Sequence, residues 1–310
     1  MHRSSPILLR SSEPRPGSLA ILTVAHHSQR PLEALAQQMA EQSEPPAHWI
    51  VVDNAPLSAP LQRRGALAGD TAACLGLEFL TGVEGAGFGA GCNQGLEWLA
   101  QREWTGWVWL LNPDTSLPEV DLLARLALLL AQQPSRALVG TAVRDGDGAL
   151  EPSGGWIDPG LAFRRRRVGE SWMAAARNQP LPVDWLSGCS LALKPEAHQP
   201  PARFDPALVL YYEDLDLCLR LSASGALPLW TAAITVAHQR GEGSSSDPDR
   251  RLELSTLSYC RFLQRHCSGW VQALRMARLL TTALLRRPWQ PGRSRAVLRG
   301  LGRALREPLR

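Results

Sequence analysis

Short apolar runs and amphipathic stretches succeed one another through the first half of the chain. Residues 19–24 form an apolar run of strand length, and residues 31–42 carry their large apolar side chains at helical spacing, with Pro31 suited to a first turn. Trp49, Ile50, Val51 and Val52 make a continuous apolar run that ends at Asp53 and Asn54, the mark of a strand buried on both faces. Residues 77–80 predict a third strand. A glycine-rich turn over 82–91 and a helix from Asn93 to Arg102 come next. Residues 107–111 predict a fourth strand, running into Asn112, Pro113 and Asp114, and residues 120–133 a further helix. Alternation of this kind predicts a mostly parallel, doubly wound sheet flanked by helices.

The second half is less regular. Residues 137–143 predict a strand, Asp145 to Gly148 a turn, and residues 183–193, with Trp185 and Gly188, one core strand. A helix is expected over 215–224 and one strand or two over 227–238. The run Arg164-Arg165-Arg166-Arg167 reads as a solvated loop, with an anion-binding lip as the alternative. Residues 239–249, rich in Gly, Ser and charge, predict a mobile loop. From Leu252 onward the pattern is helical and arginine becomes dense, with Arg275, Arg278, Arg286, Arg287, Arg293 and Arg299 among leucines such as Leu274, Leu280 and Leu284. Such a basic amphipathic tail either lies on an anionic membrane face or packs its leucines on the core.

Composition narrows the class. A chain of 310 residues can bury a full core as one large domain or as two halves sharing a sheet. The formal net charge is +4, and Lys194 is the only lysine; this arginine bias fits a GC-rich genome better than a nucleic-acid surface, so no nucleic-acid partner is expected. The six cysteines include no CxxC pair, which argues against a zinc knuckle and reads as the reduced thiols of a cytoplasmic protein. Residues 1–18 are polar and proline-rich, predict a disordered segment, and lack the apolar centre of a signal peptide.

Candidate chemistry sits where strands end. Asp53 closes a buried strand, the edge at which open α/β sheets bind ligands; there it can accept the N3–H of a uracil or thymine ring, or simply cap a turn. Asp114 follows the fourth strand and suits a hard divalent cation bridging diphosphate oxygens, with Asn112 able to add a carbonyl oxygen. Gly85 to Gly91 bring backbone near a helix start, where anions bind, but they follow the third strand, and no ribose-binding acid lies at a dehydrogenase offset. Tyr211-Tyr212-Glu213-Asp214-Leu215-Asp216 is the most acidic punctuation. Neighbouring carboxylates raise each other's proton affinity, which makes Asp214 the candidate general base and Glu213 its neighbour, while Asp216 charges or caps a helix start. His238 ends a strand and can complete a metal site or meet a diphosphate. His26 and His27 either border a nucleotide or lie in an exposed loop.

These stretches occur together in an order that resembles the family 2 glycosyltransferases, particularly their bacterial rhamnosyltransferase-like branch. The similarity rests on Val51-Val52-Asp53-Asn54, on Gly87 to Gly95, on Leu111-Asn112-Pro113-Asp114, on Trp185-Leu186-Ser187-Gly188, on Phe204-Asp205, on Tyr212 to Asp216 with Arg220, and on His238. The resemblance implies a GT-A fold over residues 19–250, a nucleotide-binding half (19–116) and an acceptor-binding half (117–250), followed by the basic helical tail (251–310). It implies one inverting displacement, in which an acceptor hydroxyl attacks the anomeric carbon of a UDP- or dTDP-sugar, rhamnose among the sugars, with Mg or Mn as the cation. Asp214 would be the base, Asp114 and His238 the metal side, and Thr23, Asp53, Asn93, Asn112, Trp185, Gly188 and Glu213 the substrate contacts, with Asp114 and Asp214 lining a common pocket. The acceptor would be a glycan or lipid-linked molecule of cell-surface polysaccharide synthesis, and the protein cytoplasmic, its tail peripheral on the inner membrane face. The chain departs from the branch in lacking an aromatic near His26, an Asn near Gly85, glycines before Phe204 and a second acid beside Asp114. Those departures keep open a non-catalytic scaffold of a polysaccharide assembly. A sugar-nucleotide pyrophosphorylase would need a glycine-rich loop where Ala25 to Gln29 stand.

Overall fold

The computed structural model describes residues 19–55, 57–158, 164–239 and 247–307; the segment 1–18 and most of the loop 239–249 lie outside them. The first half alternates much as its pattern predicts, with a short helix α2 that the pattern does not announce: β1 (Leu19–Ala25), α1 (Gln29–Ala40), β2 (His48–Asp53), α2 (Gly69–Cys74), β3 (Leu77–Thr81), α3 (Phe88–Ala100) and β4 (Trp107–Leu111). Strands β3, β2, β1 and β4 lie side by side and parallel, with Ala25 opposite Asp53 and Asp53 opposite Thr81. Their carboxyl ends therefore form one edge. Alternate residues of β1 and β2 enter opposite cores: Leu22, Ile50 and Val52 on one face, Ile21, Trp49 and Val51 on the other. Both faces are apolar, which is why these strands read as unbroken apolar runs.

Helix α3 begins at Phe88, five residues earlier than the sequence pattern implies, and it takes the glycines into its first turns. They serve close approach. A Cβ on Gly91 would stand 2.7 Å from a Val24 methyl, and one on Gly95 would stand 2.2 Å from a Leu22 methyl, so the helix axis rests directly on β1. Gly87, at φ +88°, turns the chain into the helix, and a Cβ there would meet the Val209 carbonyl at 2.0 Å. The glycine run is a packing device between α3, β1 and the segment holding Phe204 and Val209.

The second half turns the parallel sheet into a mixed one. β5 (Thr115–Ser116), α4 (Leu122–Ala131) and β6 (Ala137–Asp145) are followed by β7 (Gly154–Asp158), β8 (Arg164–Arg167), α5 (Met173–Asn178), β9 (Leu181–Pro182), β10 (Trp185–Leu186) and β11 (Ser190–Leu193). β11 runs antiparallel between β4 and β6. The single strand expected over 183–193 is two: Trp185 pairs with Gly155 in a small β10-β7-β8 sheet, whereas Ser190 pairs with Leu111 in the large one. Ser187, Gly188 and Cys189 carry the chain across, a change of sheet to which apolar patterning is blind. The arginine run is β8, paired with β7, not a loop.

The fold closes with α6 (Glu213–Ala223), the long β12 (Leu227–His238), parallel to β6, and the helices α7 (Pro248–His266), α8 (Gly269–Arg286) and α9 (Pro291–Arg306). The last three share a small core of Leu257, Cys260, Met276, Leu301 and Ala304. Helix α7 is also fastened to the body: Arg261 donates to the Ala207 carbonyl, Ser258 accepts from the Leu210 amide, and Arg265 pairs with Asp205. Among the described residues no helix is long and apolar enough to cross a membrane.

Candidate active site

Two groups of polar side chains occupy the carboxyl edge of the sheet. His26, Asp53 and Glu84 meet where β1, β2 and β3 end. Burial and the neighbouring His27 pull the His26 imidazole below its ordinary value, against the opposing charges of Asp53 and Glu84. Asp53 is largely committed to its own loop: one carboxylate oxygen accepts from the Ala55 amide at 3.0 Å, the other from the Leu61 amide at 2.7 Å. Thr23 has no exposed surface, and its hydroxyl accepts from the Trp49 indole at 3.0 Å. Asn93 exchanges two 2.8 Å bonds with the backbone of Phe204 and so clamps α3 to the second half. Thr23 and Asn93 thus each have an internal partner within the fold.

The second group spans β5, β6 and the end of β12. The last two residues of β12, Ala237 and His238, pair with β5, which sets the imidazole against Asp114. His238 Nε2 lies 3.2 Å from an Asp114 carboxylate oxygen, and its Nδ1 lies 3.1 Å from Glu151. Burial pulls the imidazole down, but the bonds and charges of Asp114 and Glu151 outweigh it and raise it above its usual range. The ring is thereby held toward its cationic form between two carboxylates. Glu151 carries no sequence signal for this role. Among the described residues no group of three or more His, Cys, Asp or Glu is arranged to hold a metal ion. Asp114 and His238 alone supply two donors. Mg and Mn commonly take one or two protein ligands and complete their shell with water and phosphate oxygens. This pair fits a cation that arrives with a diphosphate better than one resident in the empty protein.

Beside this group opens a cavity of about 930 Å³, lined by Arg165, Arg167, Trp185, Ser187, the residues 211–215 and, from α7 and α8, Ser255, Thr256, Tyr259 and Leu279. Its acids stand at the start of α6, where the helix dipole favours negative groups. The turn into that helix is strained: Tyr211 and Tyr212 are both left-handed, at φ 64° and 68°, a conformation costing a non-glycine residue about 1–2 kcal/mol. The Tyr212 ring is gripped by Tyr259 and Phe262, each with centroids 5.3 Å away, which holds the turn in place. No sequence signal distinguishes two adjacent tyrosines of this kind.

Glu213 is 7 % exposed, and its Oε2 has no hydrogen-bond partner. Burial first, then the Asp214 charge, push its carboxyl up to about 8. Asp214 is raised by burial too, but it is opposed by the Gly188 amide (3.1 Å), the Leu215 amide (2.8 Å) and the Arg165 charge. Environment therefore separates two adjacent acids, Glu213 holding a proton near neutrality and Asp214 being the one built to ionise. Gly188 contributes through its backbone N–H, and a Cβ there would fall 2.8 Å from the Phe88 ring. Trp185 forms part of the wall, its indole donating to the Arg166 carbonyl at 3.2 Å.

Asp114 is not among the residues lining this cavity. It is linked to it through the chain change after β10: the Asn112 amide donates to the Cys189 carbonyl at 3.0 Å, one residue from the Gly188 amide that holds Asp214. Pro152, beside Glu151, also lines the cavity. The two acidic groups are neighbours across the β10–β11 crossing. Asp216, by contrast, does not cap its helix; it has no exposed surface and binds Arg220, Arg265 and His266.

No family model matches the chain. Over 180 residues it is 29 % identical to the N-acetylglucosaminyl-diphospho-decaprenol L-rhamnosyltransferases of two Mycobacterium tuberculosis strains, CDC 1551 / Oshkosh and ATCC 25618 / H37Rv. The match covers 54 % of this chain and 58 % of those proteins, so the chain spans little more than half the length of the curated relatives it matches. Solved structures resemble it more completely. GalNAc-T7 with UDP, GalNAc and Mn2+ superposes with a TM-score of 0.60 at 14 % identity, over 92 % of this chain and 54 % of that one. The mannosyltransferase PcManGT of Pyrobaculum calidifontis, with GDP-Man and Mn2+, gives 0.53 at 14 % identity over 96 % and 90 %. S. aureus TarS 1-349 with UDP-GlcNAc gives 0.54 at 12 % identity over 94 % and 92 %. The chain has the GT-A fold.

Protonation of Glu213 should be visible in stability. A carboxyl whose folded-state pKa is raised from 4.5 to about 8 favours the fold most at acid pH. That contribution declines as pH climbs between those values, because the folded state then binds the extra proton. Glu213→Gln, which stays neutral, should flatten this decline in urea unfolding curves between pH 5 and pH 8. A decline equally steep in both proteins would refute the assignment.

Proposed function

We propose that the protein is an inverting family 2 glycosyltransferase that moves a sugar from a UDP- or dTDP-sugar to a hydroxyl of a lipid-linked or glycan acceptor. The observation that carries this reading is the placement of Asp214, whose carboxylate accepts from the Gly188 N–H at a cavity wall of a GT-A fold. The similarity to rhamnosyltransferases favours a deoxyhexose donor such as a rhamnose nucleotide, and their printed acceptor favours a diphospho-lipid.

In this mechanism Asp214 accepts the proton of the acceptor hydroxyl as its oxygen bonds to the anomeric carbon. The nucleoside diphosphate departs with its electron pair from the opposite face, and the configuration inverts. Glu213 keeps its proton and adds no second negative charge beside the base. Asp53 retains lone pairs toward the base of the nucleotide, since a carboxylate offers about four acceptor sites and the loop uses two. Asp114 and His238, the latter as neutral imidazole, would hold Mg or Mn with the donor diphosphate. The cation supplies charge neutralisation for the leaving diphosphate. Asp214→Asn should lower the transfer rate by about 10²–10⁴-fold, the range for loss of a general base, while nucleotide-sugar binding persists; full activity would reject Asp214 as the base. Asp114→Ala should remove the gain in donor affinity that Mg2+ or Mn2+ gives in calorimetry, and an unchanged metal response would count against the site.

The helical tail supports association with an anionic leaflet. Neither α8 nor α9 contains an acidic residue, and Arg278, Arg286, Arg287, Arg293 and Arg306 make no ion pair among the described residues. Around them Trp270, Leu274, Leu284, Leu285 and Trp289 are exposed. Deleting α9 would unseat Leu301 and Ala304 from α7, so charge is the cleaner variable. Replacing Arg286, Arg287 and Arg293 by Gln should release the protein from phosphatidylglycerol vesicles in flotation, each arginine contributing about 1 kcal/mol. Equal flotation of both proteins would dismiss the membrane role.

A further inference from the structure

The cavity beside Asp214 carries two guanidinium groups, Arg167 and Arg165, the second of which also lends its charge to the Asp214 carboxylate. Alternation along β8 sends Arg165 and Arg167 to the cavity side and Arg166 to the other, where it pairs with Asp158 at 2.9 Å and lies over Trp156. Neither Arg165 nor Arg167 has a carboxylate partner among the described residues. Arg165 instead hangs over the rings of Tyr212 and Trp185, 5.4 and 5.8 Å from their centroids. Two residues along a strand are about 7 Å apart, so both forks can engage one small polyanion. A neutral sugar is recognised by aromatic faces, hydroxyls and carboxylates; unpaired arginines presented together are the chemistry that binds phosphate oxygens in pairs.

We propose that Arg165 and Arg167 form a subsite for a phosphoryl group borne by the acceptor, which rests on the glycosyltransferase reading and names the acceptor class as a phosphate-bearing amphiphile. The donor's own diphosphate belongs to the Asp114 side, beyond the β10–β11 crossing, and Asp114 does not line this cavity. The acceptor hydroxyl must reach Asp214, and an anionic group anchored on β8 fixes the molecule from the neighbouring wall. Leu279 of α8 lines the cavity and offers an apolar contact for the rest of the molecule. The arginines bind and position the acceptor and take no part in the bond changes.

Calorimetry with farnesyl diphosphate as probe, in saturating UDP, tests this directly. Wild-type protein should bind the probe, and the Arg165→Gln/Arg167→Gln double variant should bind it at least about tenfold more weakly, the scale of one lost charge-assisted contact. UDP affinity should be the same in both, and Arg166→Gln should match wild type. Undiminished binding by the double variant, an equal loss in Arg166→Gln, or displacement of the probe by UDP would overturn the proposal, the last because the anion would then occupy the donor site. If the double variant does not fold, Arg165→Lys and Arg167→Lys replace it; these keep the charge without the fork and should show a smaller loss, and no loss would again overturn it. Failure of UDP itself to bind would reject the glycosyltransferase reading, while the dependence of probe binding on Arg165 and Arg167 would still decide the subsite.

Discussion

A carboxylate with no exposed surface persists only where cations and donors replace the water it has lost. Asp216 meets this demand with Arg220 one turn further along α6 at 2.6 Å, and with Arg265 (3.3 Å) and His266 (2.9 Å) from α7. Burial alone would push its carboxyl up; the His266 bond and the arginine charges bring it below the usual range. Arg265 also reaches Asp205, and Arg220 donates to the Arg203 carbonyl. One buried charge thus joins α6, α7 and the segment before α6. Because Asp214 is two residues from this anchor, the direction of the candidate base is fixed by it. The same anchor holds α7 where Ser255, Thr256 and Tyr259 can complete the cavity wall.

Three acids within four residues consequently meet three fates. Their local sequence is nearly uniform, and what separates them is the partner each finds. Asp216 finds cations and is locked as an anion. Asp214 finds two backbone N–H groups and a cavity. Glu213 finds no cation, and burial together with the neighbouring Asp214 keeps its proton on. A helix start with several carboxylates satisfies the dipole in any case; tertiary packing makes of that generic arrangement one acid held by backbone N–H groups, one held protonated by burial and one locked in ion pairs.

Much of the first half was legible because β1, β2 and β4 are buried on both faces and α1 has one apolar stripe, so period and length agree. The acidic cluster and His238 were legible as punctuation at element ends, and the GT-A expectation agrees with the solved structures the chain resembles. The failures have a common cause, which is that the deciding interaction is non-local. Asn93 bonds the backbone of Phe204, 111 positions away, and Thr23 accepts from the Trp49 indole, partners that neighbouring sequence does not reveal. Residues 183–193 have one apolar rhythm but two sheets, and β8 was hidden because four arginines give no amphipathic signal. Of the two placements the tail's pattern leaves open, its first helix takes contact with the body, bound to α6 through side chains whose pairing no local pattern announces.

The two halves of the molecule differ in how their polar groups are spent. In the first half, Thr23, Asn93 and much of Asp53 are consumed by internal bonds, and the glycines by helix–sheet contact, so the frame on which a nucleotide would rest is rigid and offers few adjustable side chains. In the second half, Arg165, Arg167, Tyr211 and Glu213 line a large cavity with weak internal commitments, and the Tyr211–Tyr212 turn carries strain that ring packing sustains. Groups that the fold does not need for its own stability are the ones left to discriminate between ligands. If the cavity receives the acceptor as proposed, selectivity for it would lie in β8 and in the turn before α6, where side chains can change without disturbing the buried charge that joins α6 to α7.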